Sequence, residues 1–155
     1  MKQIEHTTLI TVYEHDNELE AADAELLQRS RRAMAHSHSP YSHYPVGAAL
    51  LLEDGTIVEG SNQENASFPL GLCAERTALA NSAINHRGKA VKAIAVSVGT
   101  EVAAPCGMCR QALLEQESIQ DIPIRILLRG GDETVYAIGS VKELMPLPFY
   151  SKNLR

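Results

Sequence analysis

The order of apolar segments constrains the fold of this chain more than any other feature. From Val46 onward, short continuous apolar runs alternate with longer segments rich in Ala and Leu. The order predicted is strand, strand, helix, strand, helix, strand, strand and a short final helix. Strands that alternate with helices predict a sheet with helices packed on its faces. We therefore expect an α/β fold.

The individual segments carry further signals. Asp54-Gly55 lies between two apolar runs and predicts a tight hairpin, so the first two strands should be antiparallel and the sheet mixed. Residues 62–71 are polar and predict a loop. The predicted strands are 46–52, 57–58, 91–98, 122–128 and 134–138. The predicted helices are 19–36, 73–86, 105–118 and 141–145. Residues 4–13 are rich in β-branched side chains and are compatible with an extra edge strand.

Length and composition indicate one ordinary globular unit. The chain has 155 residues, of which 45% are apolar and 21% charged, and it contains no repeat or linker, so 1–155 is treated as a single domain. The net charge of −5 argues against a nucleic-acid partner. No apolar run approaches the roughly 20 residues of a membrane span, and the first residues do not resemble a signal peptide. We therefore expect a cytoplasmic protein with no membrane partner.

All three cysteines lie in two short motifs, Cys73-Ala74-Glu75 and Pro105-Cys106-Gly107-Met108-Cys109. In a reducing compartment, clustered thiols more often bind a metal or carry chemistry than form disulfides. Cys106 and Cys109 are three residues apart and share one face of a helix, while Cys73 begins another helix. A catalytic zinc site has three protein ligands and one open position. The spacing therefore allows two helix N-termini to converge on one metal ion, and such a site would suit zinc.

Other interpretations of the cysteines stay open at this point. A Cys-x-x-Cys pair is often structural, redox-active or simply buried. A structural zinc site would need a fourth ligand, and three histidines, His36, His38 and His43, are grouped in the sequence.

Glu75 is a candidate general acid and base. It follows Cys73 by two residues, so it can reach the open coordination position without being a ligand, although a helix glutamate can also simply face solvent. Three thiolates and one Zn²⁺ sum to a charge of −1, which a nearby cation would offset. Arg76 and Arg110 are the candidates for that role, in which either would donate hydrogen bonds to the ligand sulfur atoms, and Arg76 is favoured over a simple surface arginine.

Longer stretches of the chain resemble a known family. The Cys and Glu motifs match a zinc-deaminase pattern, in which a His- or Cys-x-Glu motif precedes Pro-Cys-x-x-Cys. The segments 39–50, 62–77 and 104–111 resemble the three sequence blocks of the small homotetrameric cytidine deaminases, and 143–149 is similar to their C-terminal motif. The resemblance extends over roughly residues 39–149.

The resemblance implies a fold, an activity and a cofactor. The fold would be a three-layer α/β/α arrangement around a mixed five-stranded sheet. The activity would be hydrolytic deamination of cytidine and 2′-deoxycytidine, a reaction of pyrimidine salvage that releases ammonia. One Zn²⁺ per subunit would be held by Cys73, Cys106 and Cys109, and Glu75 would shuttle protons. The family also implies a homotetramer in which neighbouring subunits complete each site.

The resemblance further implies roles in substrate binding. Asn62 and Glu64 would hold the ribose hydroxyls, which suits an amide and a carboxylate. Tyr44, where relatives often carry Phe, would pack on the base. The backbone N–H of Ala74 would contact the base, and Ala66 would contribute similarly from its loop.

Three other features of the chain bear on the resemblance. Phe149 is similar to the residue that reaches a neighbouring subunit's pocket. Ala104 stands where relatives commonly have Ser, a silent change if only its carbonyl contacts the leaving amine. Residues 1–16 fall outside the resemblance and receive no catalytic role.

Two other functions compete with this interpretation. One is a related deaminase that acts on another cytosine-bearing substrate. The other is a non-catalytic module stabilised by zinc, which would require four protein ligands.

Overall fold

A computed structural model describes residues 1–154. Six strands form one sheet: β1 (Thr11–Tyr13), β2 (Val46–Leu52), β3 (Ile57–Ser61), β4 (Val91–Val98), β5 (Arg125–Arg129) and β6 (Val135–Ile138). The three α-helices are α1 (Ala21–Ala33), α2 (Ala74–Asn85) and α3 (Gly107–Gln120). The α/β class and the predicted order of elements are confirmed. None of the helices in this part of the chain combines the length and the apolar character needed to cross a membrane.

The sheet is mixed, with the strand order β1-β6-β5-β4-β2-β3. β2 and β3 pair antiparallel through the predicted Asp54-Gly55 turn, where Gly55 has a φ of 86° that glycine adopts without strain. β4 and β5 pair parallel, and α3 makes the connection between them. The mixed sheet therefore follows from one hairpin and one helical crossover.

The sheet has six strands where the resemblance implies five. The additional strand β1 pairs antiparallel with β6 at the edge of the sheet. It is shorter than the predicted segment 4–13, because the preceding residues bond elsewhere. The Thr8 hydroxyl donates to the backbone carbonyl of Glu143, and the backbone N–H of Leu9 donates to the Glu143 carboxylate.

Helices cover both faces of the sheet, as a three-layer fold requires. α1 packs on one face against β2 and β4. It approaches closely at Gly47, where a Cβ would collide with the backbone carbonyl of Ser30. α2 and α3 pack on the other face, over the larger apolar cluster that includes Leu50, Ile94 and Leu113. These two helices bring both cysteine motifs to the same side of the sheet.

Several element boundaries differ from the prediction for identifiable reasons. Strand β5 begins at Arg125 rather than 122, because the residues before it bond to α3 instead of the sheet. The Gln120 side chain donates to the carbonyl of Ile122, and the Glu117 carboxylate accepts from the backbone N–H of Ile124. Four further segments form short 3-10 turns in place of the predicted helix or loop, at Asp16–Glu18, Met34–His36, Phe68–Leu70 and Val141–Leu144.

Candidate active site

Two helix N-termini carry the cysteines. Cys73 is the N-cap residue of α2 and Cys106 is the N-cap residue of α3, so Cys109 lies in the first turn of α3. The N-terminus of a helix presents unpaired backbone N–H groups and the positive end of the helix dipole. Both features stabilise a thiolate, and a thiolate is the form that binds a metal. The sequence therefore places all three cysteines at the starts of two helices.

The three sulfur atoms lie close enough to share one metal ion. The Sγ atoms of Cys73 and Cys106 are 3.8 Å apart, and those of Cys106 and Cys109 are 3.5 Å apart. All three lie within 4.8 Å of one another. Tetrahedral zinc with Zn–S bonds of about 2.3 Å places its sulfur ligands about 3.8 Å apart. The donor type and the spacing therefore fit zinc.

The predicted histidine alternative receives no support from the geometry. Within residues 1–154, the group of His, Cys, Asp and Glu side chains close enough to hold a metal consists of the three cysteines. The three cysteines are also free thiols rather than disulfide partners. A site with three protein ligands leaves a position for a further, non-protein ligand.

Glu75 lies beside the sulfur atoms in a buried position. Its residue is only 4% exposed, and burial raises the pKa of its carboxyl group above 4.5. The pKa of the Cys73 thiol is lowered to about 6, chiefly by a hydrogen bond from Cys109, with a smaller contribution from the charge of Arg76. The Arg76 charge also acts on Glu75. Arg76 therefore acts electrostatically on both groups, and its role toward the zinc ligands stays a prediction.

A cavity of about 510 Å³ opens at the cysteines. Its lining includes Cys73, Ala74, Glu75 and Cys106, which we call the inner end because Ala74 and Glu75 are buried, although Cys106 is exposed. The half-buried Tyr44, Asn62 and Glu64 also line it, and we call them the mouth. Seven of the predicted site residues therefore line one cavity. The sequence prediction missed other lining residues, among them Ser42, Val96, Val98 and Ala103. They carry no chemical signature and line the cavity only because of how the strands and loops meet.

Glu64 is held in place by the loop opposite it. One of its carboxylate oxygens accepts hydrogen bonds from the backbone N–H groups of Tyr41 and Ser42, at 2.9 and 3.3 Å. The Ser42 hydroxyl and these backbone groups lower the pKa of Glu64 below its usual value. Glu64 is therefore a fixed, ionised acceptor at the mouth of the cavity.

Asn62 is held more firmly still. Its side-chain carbonyl oxygen accepts from the Ser37 hydroxyl at 2.6 Å and from the backbone N–H of Val46 at 2.9 Å. Its NH₂ group donates to the backbone carbonyl of Tyr44 at 2.9 Å. The second hydrogen of that NH₂ group can donate to a ligand. Ser37 thus supports a predicted site residue, and no signal in its sequence context indicated this.

The remaining predicted residues lie outside the cavity. Ala66 is exposed in its loop and does not line the cavity. Phe149 is 56% exposed and lies in an outer groove with Pro69, Met108 and Arg76. Arg110 donates to two backbone carbonyls, those of Pro105 and Leu144.

Comparison with protein families identifies the motifs. Residues 20–125 match the family model described as the cytidine and deoxycytidylate deaminase zinc-binding region. The match includes both cysteine motifs and Glu75. The zinc site inferred from the sulfur geometry and the zinc-binding region of the family model thus coincide.

Individual relatives agree with the family match. A cytidine deaminase from Sporosarcina psychrophila is 46% identical over 91 residues, which cover 58% of this chain and 66% of that protein. One from Halalkalibacterium halodurans is 40% identical over 119 residues, which cover 68% of this chain and 89% of that protein.

Solved structures show the same fold. The crystal structure of a cytidine deaminase from Burkholderia pseudomallei superposes with a TM-score of 0.73 at 37% identity, covering 81% of this chain and 97% of that one. A cytidine deaminase from Mycobacterium tuberculosis superposes with a TM-score of 0.67 at 30% identity, covering 84% of this chain and 99% of that one. The chain therefore belongs to the cytidine and deoxycytidylate deaminase family and carries the family's zinc-binding region.

Proposed function

We propose that this protein is a zinc-dependent hydrolase that deaminates cytidine and 2′-deoxycytidine to uridine and 2′-deoxyuridine. The observation that carries the proposal is the inner end of the cavity, where a carboxylate that is 4% exposed adjoins three clustered sulfur atoms. Hydrolytic removal of an amine needs an activated water and a group that moves protons. The cavity supplies the residues for both.

Zinc held by Cys73, Cys106 and Cys109 would supply Lewis acidity and lower the pKa of water. In the reaction, the oxygen of water adds to C4 of cytosine and the bond from C4 to the exocyclic nitrogen breaks. Glu75 accepts a proton from the water and delivers it to N3 of the ring. A second proton passes through Glu75 to the departing nitrogen, which leaves as ammonia.

The surroundings of Glu75 suit this work. Burial raises the pKa of its carboxyl group, so the carboxylate is a better proton acceptor than an exposed one. The charge of Arg76 opposes that shift. Between these two influences the carboxyl group can both accept and return a proton, which general acid–base catalysis requires.

The mouth of the cavity favours a nucleoside. Glu64 offers a fixed acceptor and Asn62 a remaining N–H donor, a pair that matches the two functions of a sugar hydroxyl. Tyr44 supplies an aromatic ring for the base, and Ala74, fully buried at the start of α2, supplies a backbone N–H. The net charge of −5 does not suit a polynucleotide.

Assembly and location complete the proposal. We infer a homotetramer with one zinc per subunit and with Phe149 reaching a neighbour's site. The outer groove that holds Phe149 also exposes Met108 and Leu154, and exposed apolar groups of this kind are typical of contact surfaces. Ala66 would contact substrate from its loop in that assembly. We place the protein in the cytoplasm, because it carries free thiols that suit a reducing compartment.

A comparison of three substrates tests the proposal. Purified zinc-containing protein is mixed in turn with cytidine, with cytosine base and with a short cytosine-containing oligonucleotide, and release of the uracil product is followed. We expect turnover of cytidine, with kcat/KM for the other two lower by about 100-fold or more because they lack the contacts of a free ribose. Preference for the oligonucleotide, or zinc-containing protein that deaminates none of the three, would overturn the assignment.

A further inference from the structure

We propose that Arg110 is a positioning residue that fixes the segment leading into Cys106 by tying it to the turn Val141–Leu144. This proposal rests on the proposed zinc-dependent function, because it concerns how the metal-binding sulfur atoms are held. Arg110 touches neither substrate nor metal ligand in this role. It acts through the backbone.

The contacts of Arg110 join two separate parts of the chain. Its Nε donates to the backbone carbonyl of Pro105 at 2.8 Å, and its Nη1 donates to the backbone carbonyl of Leu144 at 3.1 Å. The guanidinium is planar and presents its donors in a fixed fork, so two bonds made at once fix the distance between the two carbonyls. The side chain is half-buried, which limits competition from water.

The segment that ends at Pro105 needs such an anchor. Residues 102–106 connect β4 to α3 without regular secondary structure. The same residues contribute Ala103 and Ala104 to the cavity wall and lead directly into Cys106. A displacement of this segment would move a cavity wall and a sulfur atom together.

The turn Val141–Leu144, which Arg110 contacts at the Leu144 carbonyl, is itself held by several hydrogen bonds. The fully buried carboxylate of Glu117 accepts from the backbone N–H groups of Val141 and Ile124 and from the Ser140 hydroxyl, at 2.9, 2.8 and 2.7 Å. On the outer side, the N-terminal segment bonds to Glu143 at its backbone and its carboxylate. The carbonyl of Leu144 is therefore a fixed point against which Arg110 can hold Pro105.

Arg110 and Arg76 thus serve the site by different physical means. Arg76 changes the pKa values of Cys73 and Glu75 through its charge. Arg110 fixes a position through two directed hydrogen bonds. Loss of Arg110 should therefore loosen metal retention even where a positive charge is kept.

The test measures the rate at which zinc passes to an excess of a chromophoric chelator, for the wild type and three full-length variants. We expect Arg110→Met to lose zinc about tenfold faster or more, the effect typical of residues that orient metal ligands. Arg110→Lys should fall between that variant and the wild type, because an ammonium cannot reproduce the fork. The control, Arg125→Met, removes an arginine paired with Asp23 at 2.8 Å and should stay within about twofold of the wild type, since Asp23 lies in α1, on the opposite face of the sheet from the cysteines.

Two results would overturn the proposal. One is zinc loss from Arg110→Met at the rate of Arg125→Met. If Arg110→Met fails to fold, the deciding variant is Arg110→Lys, and zinc loss from it at the wild-type rate would overturn the proposal. The readout is independent of the proposed reaction, because wild-type protein that holds zinc but leaves cytidine unchanged would contradict the proposed function and not the role of Arg110.

Discussion

Two glutamates at opposite ends of one cavity show how surroundings divide the work of identical side chains. Glu75 lies at the inner end, where burial raises its pKa. Glu64 lies at the mouth, where hydrogen bonds from Ser42 and Tyr41 lower its pKa. Surroundings that raise the pKa of one carboxyl group and lower that of another let the first carry protons while the second stays ionised. The inner end thus suits chemistry and the mouth suits recognition.

The difference comes from how the two residues are supported. Glu75 lies in the first turn of α2, and α2 packs directly on β3 at Gly60. Glu64 lies in a loop and is oriented by backbone N–H groups of another loop. Helix packing buries one carboxyl group, and loop contacts leave the other in water. Changes at the two ends should therefore produce different kinetic signatures.

The largest expected effect comes from replacing the proton carrier. Glu75→Gln keeps the shape of the side chain but cannot accept a proton, so kcat for cytidine should fall by about 10³-fold or more. Zinc content should stay at the wild-type value, because Glu75 is not one of the clustered ligands. Assays of kcat and of bound zinc on one preparation check both statements. Rapid turnover by the zinc-containing variant would remove Glu75 from the mechanism.

Gly60→Ala should displace the inner end of the cavity without replacing any residue that lines it. A Cβ at this position would meet the backbone N of Ala78 and lie 2.6 Å from the carbonyl of Ala74, so Gly60→Ala must displace α2. We expect a loss of about 1–3 kcal/mol in the free energy of unfolding, with kcat reduced more than KM is raised.

Chemical denaturation and steady-state kinetics measure these effects for Gly60→Ala. The matched control for stability is Gly107→Ala, where a Cβ would meet nothing within 4 Å. A Gly60→Ala variant as stable and as active as the wild type would show that α2 tolerates displacement.

Replacement of the acceptor at the mouth should change recognition. Glu64→Gln removes a charged acceptor, and hydrogen bonds to charged groups contribute about 1.5–3 kcal/mol, so KM for cytidine should rise by roughly 10- to 150-fold. The change in kcat should be smaller. Cytosine base serves as the control substrate, because it has no ribose and should respond little. Equal losses with both substrates would contradict a role for Glu64 at the sugar.

The smallest effect is expected at Tyr44. Its hydroxyl pairs with the Thr100 hydroxyl at 3.0 Å in an exposed position, where water can replace the bond. Tyr44→Phe keeps the ring, so KM for cytidine should change by no more than about threefold. Steady-state kinetics of this variant separate the ring from the hydroxyl. A tenfold change or more would show that the hydroxyl itself contributes to recognition.

The sequence predicts the inner end better than the mouth. The Cys73, Glu75, Cys106 and Cys109 pattern depends on local spacing at two helix starts, and local spacing can be worked out from residue order. The Asp54-Gly55 turn is predictable for the same reason. The spacing within each motif needs no knowledge of distant segments, whereas the meeting of the two motifs depends on α2 and α3 packing on the same face of the sheet.

The mouth depends on contacts between segments far apart in the chain. The backbone N–H groups of Tyr41 and Ser42 reach Glu64, and Ser37 reaches Asn62, across loops whose meeting no periodicity reveals. The short edge strand β1 likewise depends on a distant contact, since only its pairing with β6 sets its length. Resemblance to a family named the residues at the mouth, but not how they are held.

The central claim is that three sulfur atoms and one adjoining carboxylate form a single metal-dependent catalytic unit. The most direct measurement titrates zinc into metal-free protein and follows bound zinc and uridine release in the same samples. The account predicts no turnover without zinc, and turnover that rises in proportion to bound zinc up to one ion per chain. Full turnover by metal-free protein, or tight zinc binding that leaves cytidine untouched throughout the titration, would contradict it.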